Sequence, residues 1–179
     1  MKKTVFLLAL LLSTSSAFAD GFSFGFRVGG ADQHINEKSA AFKTRESETK
    51  PFGSVFAGLK AGVFRIEGEY VYRFKGDYDN LGEVGMDSFM GNIYFQPPFR
   101  AQFMPYAMAG AGITKFSRKI GDKSNAFTWT IGIGLTNEIS RNLFLDWGYR
   151  YVKMEKMSTT NSNVEACSFE GFAGLRFQF

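Results

Sequence analysis

The stretch F-E-G-F-A-G-L-R-F-Q-F, at residues 169–179, decides the fold of this chain. Its odd-numbered positions, from Phe169 to Phe179, are apolar or small, whereas Glu170 and Arg176 lie at even-numbered positions. Successive side chains of a β-strand point to opposite faces. The stretch therefore predicts a strand with one apolar face and one small or charged face.

The same alternation recurs along the chain and predicts eight strands, while helical periodicity is weak. The fifth strand is rich in Gly and Ala, so its facing is ambiguous. We take its outward face to be Ala107, Ala109, Ala111 and Ile113. The predicted strands are residues 21–31, 53–62, 64–75, 88–96, 105–115, 126–136, 143–153 and 169–179.

The predicted connections alternate in length. With an even number of strands, both termini and the short turns lie at one end of the molecule. This pattern predicts an all-β, antiparallel up-and-down barrel with long loops at its other end. The four long loops are predicted at residues 32–51, 76–87, 116–125 and 154–166.

Residues 1–19 have the features of a secretory signal peptide. Two lysines begin the segment, an apolar run follows, and small residues come at its end, so cleavage is predicted between Ala19 and Asp20. The apolar run is too short to span a bilayer as a helix, which takes about 20 residues. Residues 20–179 are predicted to form one barrel domain.

The composition narrows the class of protein. Aromatic residues make up 17% of the chain although its mean hydropathy is only −0.13, which is typical of a barrel with one face in lipid and a polar lumen. The formal net charge is +4, and such a small balance gives no support to a nucleic-acid partner. A single histidine, His34, and a single cysteine, Cys167, offer no disulfide and no zinc site, and no cofactor is expected.

The apolar face of these strands carries most of the aromatic residues, and this decides which face is inside. A soluble eight-stranded barrel would turn that face inward. The interior of eight strands is just wide enough for ordinary side chains, so that many rings would not fit. The opposite face carries small and charged residues, which do fit. The sequence therefore predicts a transmembrane barrel whose apolar face contacts lipid.

The inward face is predicted to hold charges that pair across the lumen. At eight strands the interior is normally filled by side chains, so we expect a structural plug, with a narrow porin-like channel as the alternative. The predicted members are Arg27, Lys60, Arg65, Glu67, Glu69, Arg73, Lys75, Asp146, Arg150, Glu170 and Arg176.

Three stretches carry a family resemblance: M-P-Y-A-M-A-G-A-G-I (104–113), D-W-G-Y-R-Y (146–151) and G-L-R-F-Q-F (174–179). With the signal peptide, their order and spacing resemble the small outer-membrane β-barrel superfamily of Gram-negative bacteria, of the opacity-protein, OmpA-barrel and OmpX kind. The resemblance implies an eight-stranded antiparallel up-and-down transmembrane β-barrel that is integral to the outer membrane, and we expect it to have no enzymatic activity. OmpA itself continues into a peptidoglycan-binding domain, and the resemblance implies no such domain here.

The resemblance also implies partners. In such proteins the terminal aromatic residue is part of the signal that the barrel-assembly machinery reads, which assigns that role to Phe179, together with Phe177. Outer-membrane lipid and lipopolysaccharide are the other expected partners.

Binding is expected in the long loops, because loops on a rigid scaffold usually carry it. Four long loops favour the interpretation that the protein is surface-exposed and non-enzymatic, with a structural, adhesin-like or antigenic role and a host or surface ligand. The second loop is acidic and the third is basic. The residues concerned are Asp77, Asp79, Glu83 and Asp87 in the second, and Lys115, Arg118, Lys119 and Lys123 in the third.

A lipid-modifying enzyme is a further alternative, because some eight-stranded outer-membrane proteins use a surface histidine with serine. His34, Asp87 and Ser88 supply the residue types, since a serine nucleophile needs a nearby base. No flanking motif supports such a site, so no catalytic residue is assigned.

Overall fold

The computed structural model describes residues 21–38, 43–78, 82–98, 102–118, 123–159 and 162–179. The predicted signal peptide, with Ala19 and Asp20 at its cleavage site, lies outside these residues, and its cleavage stays a prediction. The strands are β1 (Gly21–Lys38), β2 (Lys43–Ala61), β3 (Phe64–Tyr78), β4 (Gly82–Phe95), β5 (Phe103–Arg118), β6 (Lys123–Ser140), β7 (Leu143–Thr159) and β8 (Ser162–Gln178). Among the residues described, no helix has the length and apolar character needed to cross a membrane.

Each strand pairs antiparallel with its neighbours in sequence, and β1 pairs with β8 to close the sheet. This confirms the predicted eight-stranded antiparallel up-and-down barrel. Tight turns join β2 to β3 and β6 to β7 at the end where Gly21 and Phe179 lie. In the first turn Gly62 has a φ of +57°, a left-handed conformation that glycine adopts readily.

Large apolar side chains cover the outside of the barrel on every strand. Ile131 of β6 is 53% exposed and Tyr149 of β7 is 72% exposed, whereas Thr130 and Arg150, their neighbours in sequence, are buried. Exposed apolar surface on this scale marks contact with a membrane. The outward set predicted for the fifth strand is confirmed by its exposure: Ala107, Ala109, Ala111 and Ile113.

The strands are longer than predicted, and most residues of the long loops predicted at 32–51, 76–87, 116–125 and 154–166 lie in strands instead. Residues 39–42, 79–81, 119–122 and 160–161 of these predicted loops lie outside the described residues. Apolar alternation marks only the part of a strand that has one face in lipid. Beyond the lipid both faces meet water, so the pattern is lost although the backbone ladder continues. The last pairs described in the four hairpins are Lys38–Lys43, Tyr78–Gly82, Ser117–Lys123 and Thr159–Ser162.

The barrel divides into two sheets at the end opposite the termini, which we call the distal end. The pairing of β2 with β3 stops at Phe52 and Arg73, and that of β6 with β7 stops at Thr128 and Met154, although all four strands continue. Each stop lies beside a shift of register, one on β3 and one on β7. The distal end therefore consists of the sheets β7–β8–β1–β2 and β3–β4–β5–β6, with edges at β2, β3, β6 and β7.

Candidate functional site

Nine of the predicted lumen charges lie inside the barrel, where each residue is at most 3% exposed. Lys60 is only half-buried and lies near the end that carries the termini, and the side chain of Lys75 lies outside the described residues. The nine are Arg27, Arg65, Glu67, Glu69, Arg73, Asp146, Arg150, Glu170 and Arg176.

Glu69 of β3 is bonded to side chains from several strands. Its Oε1 atom accepts a hydrogen bond from the Ser54 hydroxyl at 2.6 Å. Its Oε2 atom accepts from Asn92 Nδ2 at 2.7 Å and from Arg150 Nη1 at 2.8 Å. Arg27 Nη1 lies 3.4 Å from Oε1. Since Arg150 belongs to β7, this one carboxylate ties together strands that are not neighbours in the sheet.

Asp146 of β7 is a second centre. Arg176 Nε donates to its Oδ2 atom at 2.9 Å, and the Thr136 hydroxyl donates to Oδ1 at 2.6 Å. Arg65 Nη1 also donates to Oδ2, at 3.3 Å. The same guanidinium reaches Glu67, with 3.0 Å between Nε and Oε1. Arg65 therefore links two carboxylates that come from different strands.

Glu170 of β8 is a third centre. It accepts hydrogen bonds from Arg150 Nε at 2.7 Å and from Arg73 Nη2 at 2.6 Å. Arg73 Nη1 donates in turn to the Ser88 hydroxyl at 2.7 Å, and this hydroxyl lies 2.8 Å from that of Thr114. Arg73 therefore connects Glu170 of β8 to hydroxyl groups of β4 and β5, on the opposite side of the lumen.

Arg27 and Arg150 join the three centres into one network. Arg27 Nη2 donates to Glu67 at 2.6 Å while its Nη1 atom approaches Glu69, and Arg150 donates to both Glu69 and Glu170. All eight strands contribute, so the network ties the wall together through its centre. Its members are Arg27 (β1), Ser54 (β2), Arg65, Glu67, Glu69 and Arg73 (β3), Ser88 and Asn92 (β4), Thr114 (β5), Thr128 and Thr136 (β6), Asp146 and Arg150 (β7), and Glu170 and Arg176 (β8).

Aromatic rings lie against these arginines, and they were not among the site residues predicted from the sequence. Arg27 Cζ lies 3.7 Å from the centre of the Phe56 ring, and Arg65 Cζ lies 4.2 Å from that of Tyr94. A guanidinium group over an aromatic face is attracted by the ring quadrupole. The sequence did contain a signal for these rings, because each one has the same odd or even parity as the inward-facing residues of its strand. The buried rings are Phe52, Phe56, Tyr94, Tyr106, Phe144 and Phe172.

The last aromatic residues lie where β1 meets β8. Phe24 stacks on Phe177 and Phe179, with ring centroids 5.5 and 5.8 Å apart. The backbone N–H of Phe179 donates to Phe22 O at 2.9 Å. Phe177 and Phe179 therefore help to close the barrel, and their role as an assembly signal stays a prediction.

A family model described as the outer membrane protein beta-barrel domain matches residues 4–177. The chain belongs to this family. It is similar to the crystal structure of the Neisserial surface protein A, NspA, with a TM-score of 0.68 and 21% identity over 87% of this chain and 97% of that one. It is also similar to outer membrane protein H, OprH, of P. aeruginosa, with a TM-score of 0.56 and 15% identity over 89% of this chain and 100% of that one. These likenesses show the fold.

A curated relative is the outer membrane protein PagN of Salmonella typhimurium. The two are 24% identical over 94 residues, which is 45% of this chain and 39% of PagN. The match therefore spans about two fifths of the length of PagN. Family and fold together make this protein an integral outer-membrane β-barrel of a Gram-negative bacterium.

Of the residues considered for a lipid-modifying enzyme, the structure describes the side chains of Asp87 and Ser88, and these two point to opposite faces of β4. Ser88 is fully buried in the lumen, where its hydroxyl bonds to Arg73 and Thr114. Asp87, the next residue along the strand, has the outward parity, and the side chain of His34 lies outside the described residues. A nucleophile at Ser88 would not reach a lipid or a soluble substrate, so the structure does not support a catalytic site at Ser88. Within the part of the chain that the structure describes, no three His, Cys, Asp or Glu residues group to hold a metal ion.

Of the residues predicted to make the charged loops, those that the structure describes lie towards the distal end and in strands. Asp77 and Glu83 are register partners in the β3–β4 ladder, and Asp87 and Lys115 are partners in the β4–β5 ladder. Lys115 is exposed, and its Nζ atom lies 5.8 Å from the centre of the Phe89 ring. It lies at the distal edge of the exposed apolar side chains that cover the outside of the barrel, which we call the apolar band. Arg118 and Lys123 lie in β5 and β6, and Asp79 and Lys119 lie outside the described residues.

Proposed function

We propose that this protein is a non-enzymatic surface protein that binds a ligand of the host surface or matrix at its distal end. One observation carries the proposal: the lumen is filled, while the distal end opens into two sheets. Side chains that line a water-filled channel are exposed to water, but the nine lumen charges are at most 3% exposed. This favours binding at the distal end over conduction.

The orientation of the barrel supports the same reading. The termini and short turns of bacterial outer-membrane barrels lie on the periplasmic side, so the distal end would face the exterior. A rigid scaffold that presents polar segments beyond the membrane is an arrangement in which binding usually resides. The same exposure would make the distal end accessible to antibodies, as in a surface antigen.

Lipopolysaccharide is proposed as a lipid partner around the barrel. Lys115 of β5 and Lys153 of β7 have the outward parity at the distal edge of the apolar band. With the distal end outside, both ammonium groups would lie at the depth of the outer-leaflet headgroups. Basic side chains at that depth attract the phosphate groups of anionic lipids.

Trimming the distal hairpins tests the proposed function. Each hairpin is shortened to a two-residue Asn-Gly turn between register partners, which is the turn that such a connection favours. Residues replaced in the combined variant are 35–46, 77–83, 118–122 and 158–163. We expect a non-adherent strain that produces the full chain to bind epithelial cells or basement-membrane extract, and the trimmed barrel to lose that binding.

The control replaces the turn at residues 62–63, at the opposite end, by Asn-Gly. This variant should adhere like the unchanged protein. A heat-modifiable shift on unboiled gels checks that every variant forms a closed barrel. Adhesion that survives trimming of all four hairpins would contradict the proposal, and so would a full-length protein that confers no adhesion.

A further inference from the structure

At the distal end β2 has a ladder partner on one side only. It pairs with β1 without a break as far as Lys43, while its pairing with β3 stops at Phe52. Residues 43–51 therefore form an edge strand along the gap between β2 and β3. We call this segment the β2 edge.

The pairing pattern tells which backbone groups of β2 point into that gap. Successive residues of an antiparallel ladder bond to opposite neighbours. Phe22 O accepts from the N–H of Phe179, so Ser23 bonds towards β2, where its register partner is Gly58. Even-numbered residues of β2 therefore bond to β1, because the register has no shift along the strand. Odd-numbered residues direct their N–H and C=O groups to the other side.

The odd-numbered residues of the β2 edge are Lys43, Arg45, Ser47, Thr49 and Pro51. Among the described residues, their backbone groups have no ladder partner in β3. Pro51 has no N–H to donate, and it lies where the pairing with β3 ends. This gives a local reason for the opening and leaves four residues that each offer an N–H and a C=O to the gap.

We propose that the β2 edge binds an extended segment of a partner polypeptide, which adds to β2 as a further strand. The inference rests on the proposed function and names the class of ligand. N–H and C=O groups at the spacing of a strand are matched by the backbone of another strand. Main-chain hydrogen bonds supply the affinity in this mode, and side chains beside the edge supply the selectivity.

The shape of the gap selects a single strand over a second barrel. β2 and β3 still pair at Phe52 and Arg73, so the gap closes at its base. A second barrel would have to bring its whole wall beside β2 where β3 of the same barrel converges on it, whereas a single extended chain adds only the width of one strand. The sequence of the β2 edge also contains Lys43 and Arg45, and charged residues in an edge strand disfavour pairing between identical copies.

The experiment uses the full barrel refolded in lipid nanodiscs. A phage library of random linear peptides is selected on it, after removal of phage that bind empty nanodiscs. The peptides are about 12 residues long, because the β2 edge spans roughly 30 Å at the rise of a strand. Selected peptides are synthesised, and their dissociation constants are measured by fluorescence anisotropy.

Two proline variants remove hydrogen-bond donors from the gap. Thr49→Pro and Ser47→Pro each delete one gap-facing N–H and leave the ladder to β1 intact, since proline is tolerated on the open side of an edge strand. The matched control is Asn125→Pro on β6, whose odd-numbered residues face the other gap by the same alternation. We expect about tenfold weaker peptide binding or more for the β2 variants and a change within about twofold for the control.

A second readout depends on the ligand alone. N-methylation of successive residues of the selected peptide should weaken binding at every second position, because only alternate N–H groups of an added strand bond to the edge. Four results would overturn the inference: no peptide enriched over empty nanodiscs, binding unaffected by Thr49→Pro, equal losses in Asn125→Pro, or N-methyl effects without alternation. A dimer of the barrel that Thr49→Pro dissociates would overturn it as well, since the occupant would then be a second copy.

The adhesion assay separates this inference from the proposed function. If the unchanged protein confers adhesion and Thr49→Pro adheres equally well, strand addition at the β2 edge is wrong while the proposed function stands. If no adhesion occurs but selected peptides bind and lose affinity in Thr49→Pro, the proposed function is wrong and the peptide site stands.

Discussion

At the scale of single residues, Glu69 is where the stability of the lumen can be tested. It accepts hydrogen bonds from three side chains and lies 3.4 Å from Arg27. Removing one partner of a buried ion pair costs about 3–5 kcal/mol, because the other charge stays buried without compensation. We expect Glu69→Ala to lower the free energy of unfolding by that amount, measured by urea titration of the refolded barrel in lipid vesicles.

Glu138→Ala is the control for this prediction, since Glu138 is exposed near the turn that joins β6 to β7. Its effect should stay within about 0.5 kcal/mol. Glu69→Gln should fall between the two, because an amide oxygen still accepts hydrogen bonds but carries no charge. Equal unfolding free energies for Glu69→Ala and Glu138→Ala would show that the network does not stabilise the barrel.

The sequence indicated which charges turn inward but not which of them meet. Parity alone puts Arg73 and Glu170 on inward faces. Their contact joins residues 97 positions apart, and it depends on the number of strands and on their stagger. The contact between Phe56 and Arg27 could not be predicted for the same reason, because only closure of the barrel brings Arg27 Cζ to 3.7 Å from the centre of the Phe56 ring.

At the scale of the element, the outward face of β6 should show a cost of charge that depends on depth. Ile133 lies in the middle of the apolar segment and is 69% exposed, whereas Ile139 lies near the turn and is 56% exposed. An arginine on the lipid face costs about 2–4 kcal/mol at the bilayer midplane and about 0–1 kcal/mol near the interface. We expect Ile133→Arg to show the larger loss of unfolding free energy in vesicles and Ile139→Arg the smaller. Equal losses would mean that this face does not contact lipid.

Variants at the contact between β1 and β8 can distinguish a structural role of Phe179 from a role as an assembly signal. Phe24→Ala and Phe179→Ala each remove a ring from the same stack, so both should destabilise the refolded barrel to a similar degree. If the assembly machinery reads Phe179, only Phe179→Ala should also lower the amount of barrel in isolated outer membranes. Similar amounts of the two variants in cells would contradict the assembly signal.

Strand β8 shows how far alternation can predict an element. From Phe169 to Phe179 one face meets lipid, and this part of the strand was predicted from its alternation. Residues 162–168 continue the ladder with β1 and β7, but they carry no strict alternation. The backbone there is held by hydrogen bonds to the neighbouring strands, which leave no pattern in the local sequence, and so residues 162–166 were predicted as part of a loop.

At the scale of the whole molecule, the filled lumen should prevent conduction. The network draws side chains from all eight strands, and its charged members are at most 3% exposed. We expect the refolded barrel to give no single-channel steps above the protein-free background in planar lipid bilayers. The same sample must show heat-modifiable mobility, so that the absence of steps does not come from unfolded protein. Reproducible steps from a folded sample would contradict the filled lumen, and they would remove the reason for assigning function to the distal end.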